Sequence, residues 1–224
     1  MSPELQSLAQ ILCADERARA EHFRFQKNRE RFVVTHGLVR TVLSDYLGCA
    51  PADLRFLRNA SGKPRLDGAR TTDLRFNLSH SHDIALLAVA EGREVGVDIE
   101  HARADVDILE IAERFFAAEE FQVLRDLPEN AQRSAFFQTW TRKEALLKAA
   151  GNGLSDGLNQ PVSSMGKSPL ERITLRSSMG SFHGSVRDLS VGAGYAAALA
   201  VEGNDGTLHL WSVPNFATAV VNIR

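Results

Sequence analysis

Apolar residues recur at steps of three and four through two stretches near the start of the chain, and this periodicity predicts helices over residues 4–24 and 28–47. In the second stretch Phe32, Leu38, Val39, Val42, Leu43 and Tyr46 share one face, and Gly48 supplies a stop. The segment from Asn59 to Arg65 is turn chemistry. Strand-like runs follow at Leu74–Leu78, Ile84–Ala90 and Val95–Ile99, with Glu91-Gly92-Arg93 turning the second into the third. Helical spacing returns over Ile108–Arg125 and Ala131–Ala150, and a glycine-rich segment from Gly151 ends it. The remainder reads as strands at 173–176, 182–189, 195–201 and 208–213, with Asn204-Asp205-Gly206 as a hairpin turn between the last two.

One run repeats. Ala85-Leu-Leu-Ala-Val-Ala-Glu-Gly92 is echoed by Ala197-Ala-Leu-Ala-Val-Glu-Gly203, and a further strand follows each copy. Helices precede strands in both parts, which suggests two related α+β halves. No long linker or low-complexity segment separates them, so they are expected to pack as one unit.

Composition bounds the function more than it defines it. Hydrophobic residues make up 44% of the 224 positions and charged residues 24%, as in ordinary globular proteins. No apolar run is long enough to span a membrane, and the first residues lack the basic and apolar regions of a secretory signal. Cys13 and Cys49 stand far from any metal-ligand spacing and read as reduced thiols of a cytoplasmic protein. A net charge of −2 argues against nucleic acid as a partner. The charge is uneven, however: Arg17, Arg19, Arg24, Lys27, Arg29, Arg31 and Arg40 stand against only Glu21 and Glu30. That segment is either a solvated face or a docking surface for phosphates or an acidic partner.

Four clusters carry candidate chemistry. In Gly96-Val-Asp98-Ile-Glu100 the two carboxylates lie two apart on a strand and project from one face, while Val97 and Ile99 enter the core. Such a pair is either a solvated acidic edge or a site for a hard cation such as Mg²⁺. In the helix around Trp140-Thr-Arg-Lys-Glu144, steps of three and four put Glu144 into a stripe with Phe137, Trp140 and Leu147. An unpaired carboxylate there is costly, so a metal, a base partner or Lys148 must satisfy it. Phe76-Asn-Leu-Ser79-His80-Ser81-His82 ends a strand, where a histidine can meet a phosphate or pack beside the turn. Zinc is disfavoured there for want of further ligands at the right spacing. Ser61-Gly62-Lys63-Pro64 lacks the upstream glycine of a P-loop and reads alone as a turn with an exposed lysine.

Taken in order, Gly62-Lys63-Pro64, Phe76-Asn-Leu-Ser79-His80-Ser81, Gly96-Val-Asp98-Ile-Glu100, Arg114-Phe115-Phe116 and Trp140-Thr-Arg-Lys-Glu144-Ala with Lys148 and Gly151 resemble the phosphopantetheinyl transferase superfamily. The closer likeness is to its surfactin-synthetase-activating type. The resemblance implies an α+β fold of two similar halves in pseudo-twofold arrangement, here 1–94 and 95–224, with the active site in the cleft between them. It implies transfer of the phosphopantetheine arm of coenzyme A to a serine of an apo acyl or peptidyl carrier protein, with release of 3′,5′-ADP. Asp98, Glu100 and Glu144 would hold Mg²⁺, Glu144 would act also as base, and Lys148 would assist charge on the phosphate. Lys63, Ser79 and His80 would meet coenzyme A phosphates. Arg17 or Arg19 would meet the 3′-phosphate, where the family pattern has lysines. A monomer is implied, since a duplicated chain builds its own cleft. Members usually open with a short strand before the first helix, and here the chain begins almost at that helix. The other readings are a non-catalytic binding module of the same fold and a magnesium-dependent phosphohydrolase.

Overall fold

The computed structural model describes residues 2–59, 61–67, 73–151, 158–161, 170–177, 180–204, 206–213 and 218–223. Helices α1 (Pro3–Ile11), α2 (Ala14–Glu21) and α3 (Gln26–Leu47) lead into a short hairpin, β1 (Phe56–Arg58) and β2 (Pro64–Leu66). Then come β3 (Leu74–Ser81), β4 (Ile84–Glu91) and β5 (Val95–His101), followed by α4 (Ile108–Phe115), α5 (Ala118–Asp126) and α6 (Glu129–Ala150). The chain continues with β6 (Leu170–Ser177), β7 (Gly180–Asp188), β8 (Tyr195–Glu202), β9 (Leu208–Val213) and β10 (Thr218–Ile223). Mixed α+β architecture is thus as expected.

The sequence pattern runs two pairs of helices together that the structure separates. The 4–24 stretch breaks at Leu12 and Cys13, which are extended. Leu12 turns into the core, and the Glu16 carboxylate accepts the Cys13 N–H at 3.0 Å to start α2. The 108–125 stretch breaks at Phe116 and Ala117, where Glu120 caps the new helix by accepting the Ala117 N–H at 3.1 Å. Stops are better marked: α3 and α6 end at Gly48 and Gly151, both at positive φ, where a side chain would be strained. The 59–65 turn is the β1–β2 connection, with Pro64 and Arg65 already in β2.

Two four-stranded sheets carry the fold, in the orders β3-β4-β10-β9 and β5-β8-β7-β6. The two echoed runs are β4 and β8, each an inner strand of one sheet. The strand after each echo crosses to the other sheet: β5 pairs with β8, and β9 joins the sheet of β4 through β10. The hairpin expected between 195–201 and 208–213 therefore does not form. β10, a strand the sequence pattern did not mark, lies between β9 and β4 and runs parallel to β4.

Burial explains why β4 and β8 are apolar on both faces. Leu86, Ala88 and Ala90 meet Val97, Ile99, Leu199 and Val201 between the sheets. Leu87 and Val89 face Val39 and Leu43 of α3, while Ala198 and Ala200 face Ala145, Leu146 and Ala149 of α6. The layers are thus α3, sheet, sheet, α6. Where the sheets adjoin, β3 and β5 exchange side-chain hydrogen bonds in place of a backbone ladder. Asn77 accepts the Val97 N–H at 2.9 Å, Ser79 donates to Asp98 at 2.9 Å, and Ser81 donates to Glu100 at 3.0 Å while accepting the His101 N–H at 3.0 Å.

The closest approach is between β5 and α6. A Cβ on Gly96 would sit well inside van der Waals contact with the Ala145 carbonyl oxygen and the Ala149 nitrogen, both backbone atoms with little room to move. Gly96→Ala is therefore expected to push α6 off β5 and lower unfolding stability by about 1–3 kcal/mol or more. Urea unfolding measures it, and an unchanged midpoint would show that the helix can relax away freely.

Candidate functional site

β5 and α6 deliver their acidic residues to the same place. Alternation along β5 turns Val97 and Ile99 into the core and leaves Gly96, Asp98 and Glu100 on the face toward α6. Gly96 lets the helix close in, and the Lys148 ammonium then reaches Asp98 Oδ1 at 2.6 Å. The same ammonium donates to Ser79 Oγ at 3.1 Å and to the Val97 carbonyl at 3.3 Å, so its three donors are all engaged. Asp98 is only 4% exposed, and its second oxygen, Oδ2, is buried without a hydrogen-bond partner among the described residues.

Electrostatics mark this cluster out. Burial pushes Asp98 above the usual carboxylate range, against the pull of Lys148 and Ser79. Glu100 is raised by burial and by the Asp98 charge, with Ser81 opposing. Glu144, one turn before Lys148 and 9% exposed, is pushed up to about 7 by burial and by the charge of Asp98. Lys148 lowers it and Glu100 raises it further, and no hydrogen bond shares in the balance. Carboxylates that raise one another's pKa lack positive charge.

A hard divalent cation is one remedy, and the donor set suits it: carboxylate oxygens only, one of them an orphaned buried atom. Among the described residues, however, no group of three or more His, Cys, Asp or Glu side chains is gathered so as to hold a metal ion. In this arrangement Lys148 supplies the cation.

α6 is held in place by two buried cations. The Arg142 guanidinium, fully buried, forms two 2.7 Å bonds to Asp188 and one of 2.6 Å to Glu171, tying the helix to β7 and β6. Lys143 pairs with buried Glu120 at 2.6 Å and donates to the carbonyls of Leu158 and Gln160. Glu120 is thus a brace between α5 and α6. Breaking such a pair by removing one partner typically costs about 3–5 kcal/mol.

Two clefts open beside α3, and the first reaches Ser81, the residue that donates to Glu100. One, of about 730 Å³, runs between α3 and the β3–β4 turn, with Lys27, Arg31, Phe32 and His36 on one wall and His80, Ser81, His82 and Asp83 on the other. His80 is held below the usual histidine range by desolvation and by the positive charges of Lys148, His36 and Arg31. The second, of about 600 Å³, is lined by Arg17 and Arg19 of α2, by Arg40 of α3, by Arg55 just before β1 and by Arg58 within it. His36 borders both clefts. Arg55 and Arg58 were missed in the sequence. Their signal was two arginines three apart, just before the Gly62-Lys63 turn.

Two expected phosphate contacts are engaged otherwise. Lys63 donates to Glu94 at 2.7 Å, to the Val95 carbonyl at 3.1 Å and to the Ala149 carbonyl at 3.3 Å. With no donor left over, it clasps β5 to the end of α6 rather than reaching toward a cleft. Ser79 is buried between Asp98 and Lys148, where it orients both.

Comparison with known proteins bears on this geometry. Residues 94–200 match the profile of the 4'-phosphopantetheinyl transferase superfamily, and residues 1–92 that of the 4'-phosphopantetheinyl transferase N-terminal region. Over 153 residues the chain is 43% identical to the 4'-phosphopantetheinyl transferase HetI of Nostoc sp., covering 68% of this chain and 65% of that one. It is 35% identical over 156 residues to the 4'-phosphopantetheinyl transferase psf-1 of Bacillus pumilus, covering 70% and 65%. It is 30% identical over 166 residues to the L-aminoadipate-semialdehyde dehydrogenase-phosphopantetheinyl transferase of Xenopus laevis, covering 67% and 54%. Each match spans less than two thirds of the relative's own length.

The raised Glu144 has a consequence for stability. Its folded pKa lies above the unfolded value of 4.5, so the folded state binds the extra proton between pH 4.5 and about 7 and loses stability as pH rises through that window. The full effect is at most about 3 kcal/mol. Glu144→Gln is expected to match the wild type near pH 4.5 and to exceed it in stability at pH 8, in urea unfolding with a chelator present. An equal stability at both pH values would mean that Glu144 titrates normally.

Proposed function

The chain belongs to the 4'-phosphopantetheinyl transferase superfamily, and on that premise we propose that it transfers the phosphopantetheine arm of coenzyme A to a serine of an apo acyl or peptidyl carrier protein. The observation that carries this reading is the cluster of buried Asp98 and Glu144 with half-buried Glu100 and Lys148 on β5 and α6. The activity follows from what these side chains can do together.

In the reaction the serine hydroxyl oxygen bonds to the phosphorus that carries pantetheine, the bond from that phosphorus to the bridging pyrophosphate oxygen breaks, and 3′,5′-ADP leaves. The serine proton needs an acceptor, and the Glu144 carboxylate is the candidate: without a metal it is pushed up to about 7, and a bound cation would lower that value and leave it ionised to take the proton. Lys148, its donors held by Asp98, Ser79 and the Val97 carbonyl, would act on developing phosphate charge through its fixed positive charge, or by giving up one of these bonds, and its side chain is 29% exposed against 14% for Lys63. Asp98, Glu100 and Glu144 are not gathered as a metal site in this arrangement; drawn together they would hold Mg²⁺, which would supply positive charge to offset that of the phosphates. Of the five arginines lining the second cleft, Arg40 is taken by Glu16, and Arg17, Arg19, Arg55 and Arg58 suit the 3′-phosphate end of coenzyme A; His80 stands at the wall of the other cleft. Lys63 has no part in this proposal.

Intact-protein mass spectrometry of an apo carrier incubated with the chain, coenzyme A and Mg²⁺ tests the reading. The expected result is a gain of one phosphopantetheine, abolished by EDTA, with 3′,5′-ADP released only when carrier is present. Release without carrier would make the chain a hydrolase, and coenzyme A binding without any transfer would make it a binding module. Glu144→Gln is expected to lower kcat at least about 100-fold, and retained turnover would remove Glu144 from the chemistry. Arg19→Ala with Arg58→Ala is expected to raise the KM for coenzyme A about tenfold with kcat nearly unchanged, the size of a lost charged hydrogen bond. An unchanged KM would place the nucleotide elsewhere.

A further inference from the structure

Among the described residues, only His36 lines both clefts. Its ring stacks on Phe32 at 4.0 Å, and the Arg19 guanidinium lies 5.4 Å from the centre of the same phenyl ring. On the side of the first cleft stand Arg31 of α3 and His80 of β3, and His80 feels the positive charge of both His36 and Arg31. On the side of the second stand Arg17 and Arg19 of α2, with Arg55 and Arg58. The acids lining the clefts are Glu30 and Asp83 in the first and Asp15 and Glu16 in the second. Asp83 is already shared by Lys27 and Arg31. A ligand with phosphates in both clefts has to pass His36.

Behind the ring is a carboxylate. Glu16 of α2 lies 3.6 Å from His36 Nδ1, with a side chain only 10% exposed. Burial pushes Glu16 up, but His36, Arg40 and the Cys13 N–H outweigh burial and bring it down to about 2. It is therefore ionised at any working pH. Arg40 balances that charge through a 2.7 Å bond to Glu16, and its Nη1 is committed to the carbonyls of Pro51 and Leu54. Arg40 is the fixed cation of this trio. His36 is the variable one, since an imidazole gains or loses its charge between about pH 5 and 8. The carboxylate holds a proton on Nδ1, which leaves Nε2 as the ring atom able to meet a ligand. A neutral ring offers only a lone pair there, and it becomes a donor to phosphate by taking up a proton.

From the place of His36 between two basic clefts, with a carboxylate behind its ring, we infer that it meets a phosphate of the nucleotide as an imidazolium, so that the chain takes up a proton as it binds. This contact rests on the transfer reading above, which supplies coenzyme A as the ligand, and adds a proton to its binding. Because the bound state holds the extra proton, affinity falls as pH rises through the histidine range.

Calorimetric titration of 3′,5′-ADP into the chain, with EDTA present, tests this apart from turnover. The nucleotide carries two phosphates without the pantetheine arm, and at about pH 8 both are fully ionised, so a proton taken up goes to the protein. Repeating the titration in buffers of different ionisation enthalpy counts the protons. Wild type is expected to take up a proton at about pH 8 and to bind more weakly there than at about pH 6.5. His36→Gln should take up less. It should bind about tenfold more weakly than wild type at the lower pH, the size of a lost charged hydrogen bond, with the gap closing as pH rises. His36→Lys disturbs the stack on Phe32 as much, yet should recover the affinity without the proton uptake. Equal uptake in wild type and His36→Gln overturns the inference and leaves the transfer reading standing. So does a loss of affinity that His36→Lys fails to restore, which would make the ring a packing residue. A wild type that binds no 3′,5′-ADP also overturns it, and takes the transfer reading with it only where carrier protein stays unmodified as well.

Discussion

A carboxylate taken out of water must find a cation or a proton, and Asp98 is the buried carboxylate around which this fold closes. Its partner, Lys148, stands 50 residues further along the chain on α6, so the ion pair forms only if α6 lies directly on β5. That contact in turn requires a bare backbone at position 96. Arg142 and Lys143, the residues just before Glu144, fix the rotation of the helix from its other sides. The cluster is thus set by packing on rigid elements, and the unfavourable charge on Glu144 is sustained by contacts that do not touch it.

Side chains also join the two sheets. Asn77, Ser79 and Ser81 alternate along β3 and meet Val97, Asp98, Glu100 and His101 in ascending order along β5. The polar residues of the Phe76–His82 segment therefore act first as a seam. The same hydroxyls that stitch the sheets orient Asp98 and Glu100, so cohesion between the sheets and alignment of the acids are one set of hydrogen bonds.

Much of this could be read from the sequence, for identifiable reasons. The alternation in Gly96–Glu100 assigned each side chain its face, and the apolar stripe around Glu144 showed that this carboxylate was out of place. What the pattern missed were partners fixed by the fold. The Leu12–Cys13 and Phe116–Ala117 breaks depend on Glu16 and Glu120 turning back as caps, and Glu120 does so in the company of a lysine from another helix. Lys63 gave the sequence signal of an exposed turn, yet three acceptors from 94, 95 and 149 enclose it. The Asn204–Gly206 turn carried a genuine hairpin signal, but a local signal cannot say that the next strand belongs to the opposite sheet.

That crossing has a consequence for how the protein is made. The inner strand β4 has an open edge until β10 arrives, and β10 is made more than a hundred residues after it. An alanine- and leucine-rich strand thus waits through the synthesis of more than a hundred residues with its hydrogen-bonding edge unfilled. Such an edge is open to mispairing with other nascent chains. Truncation before residue 218 would leave that edge permanently exposed.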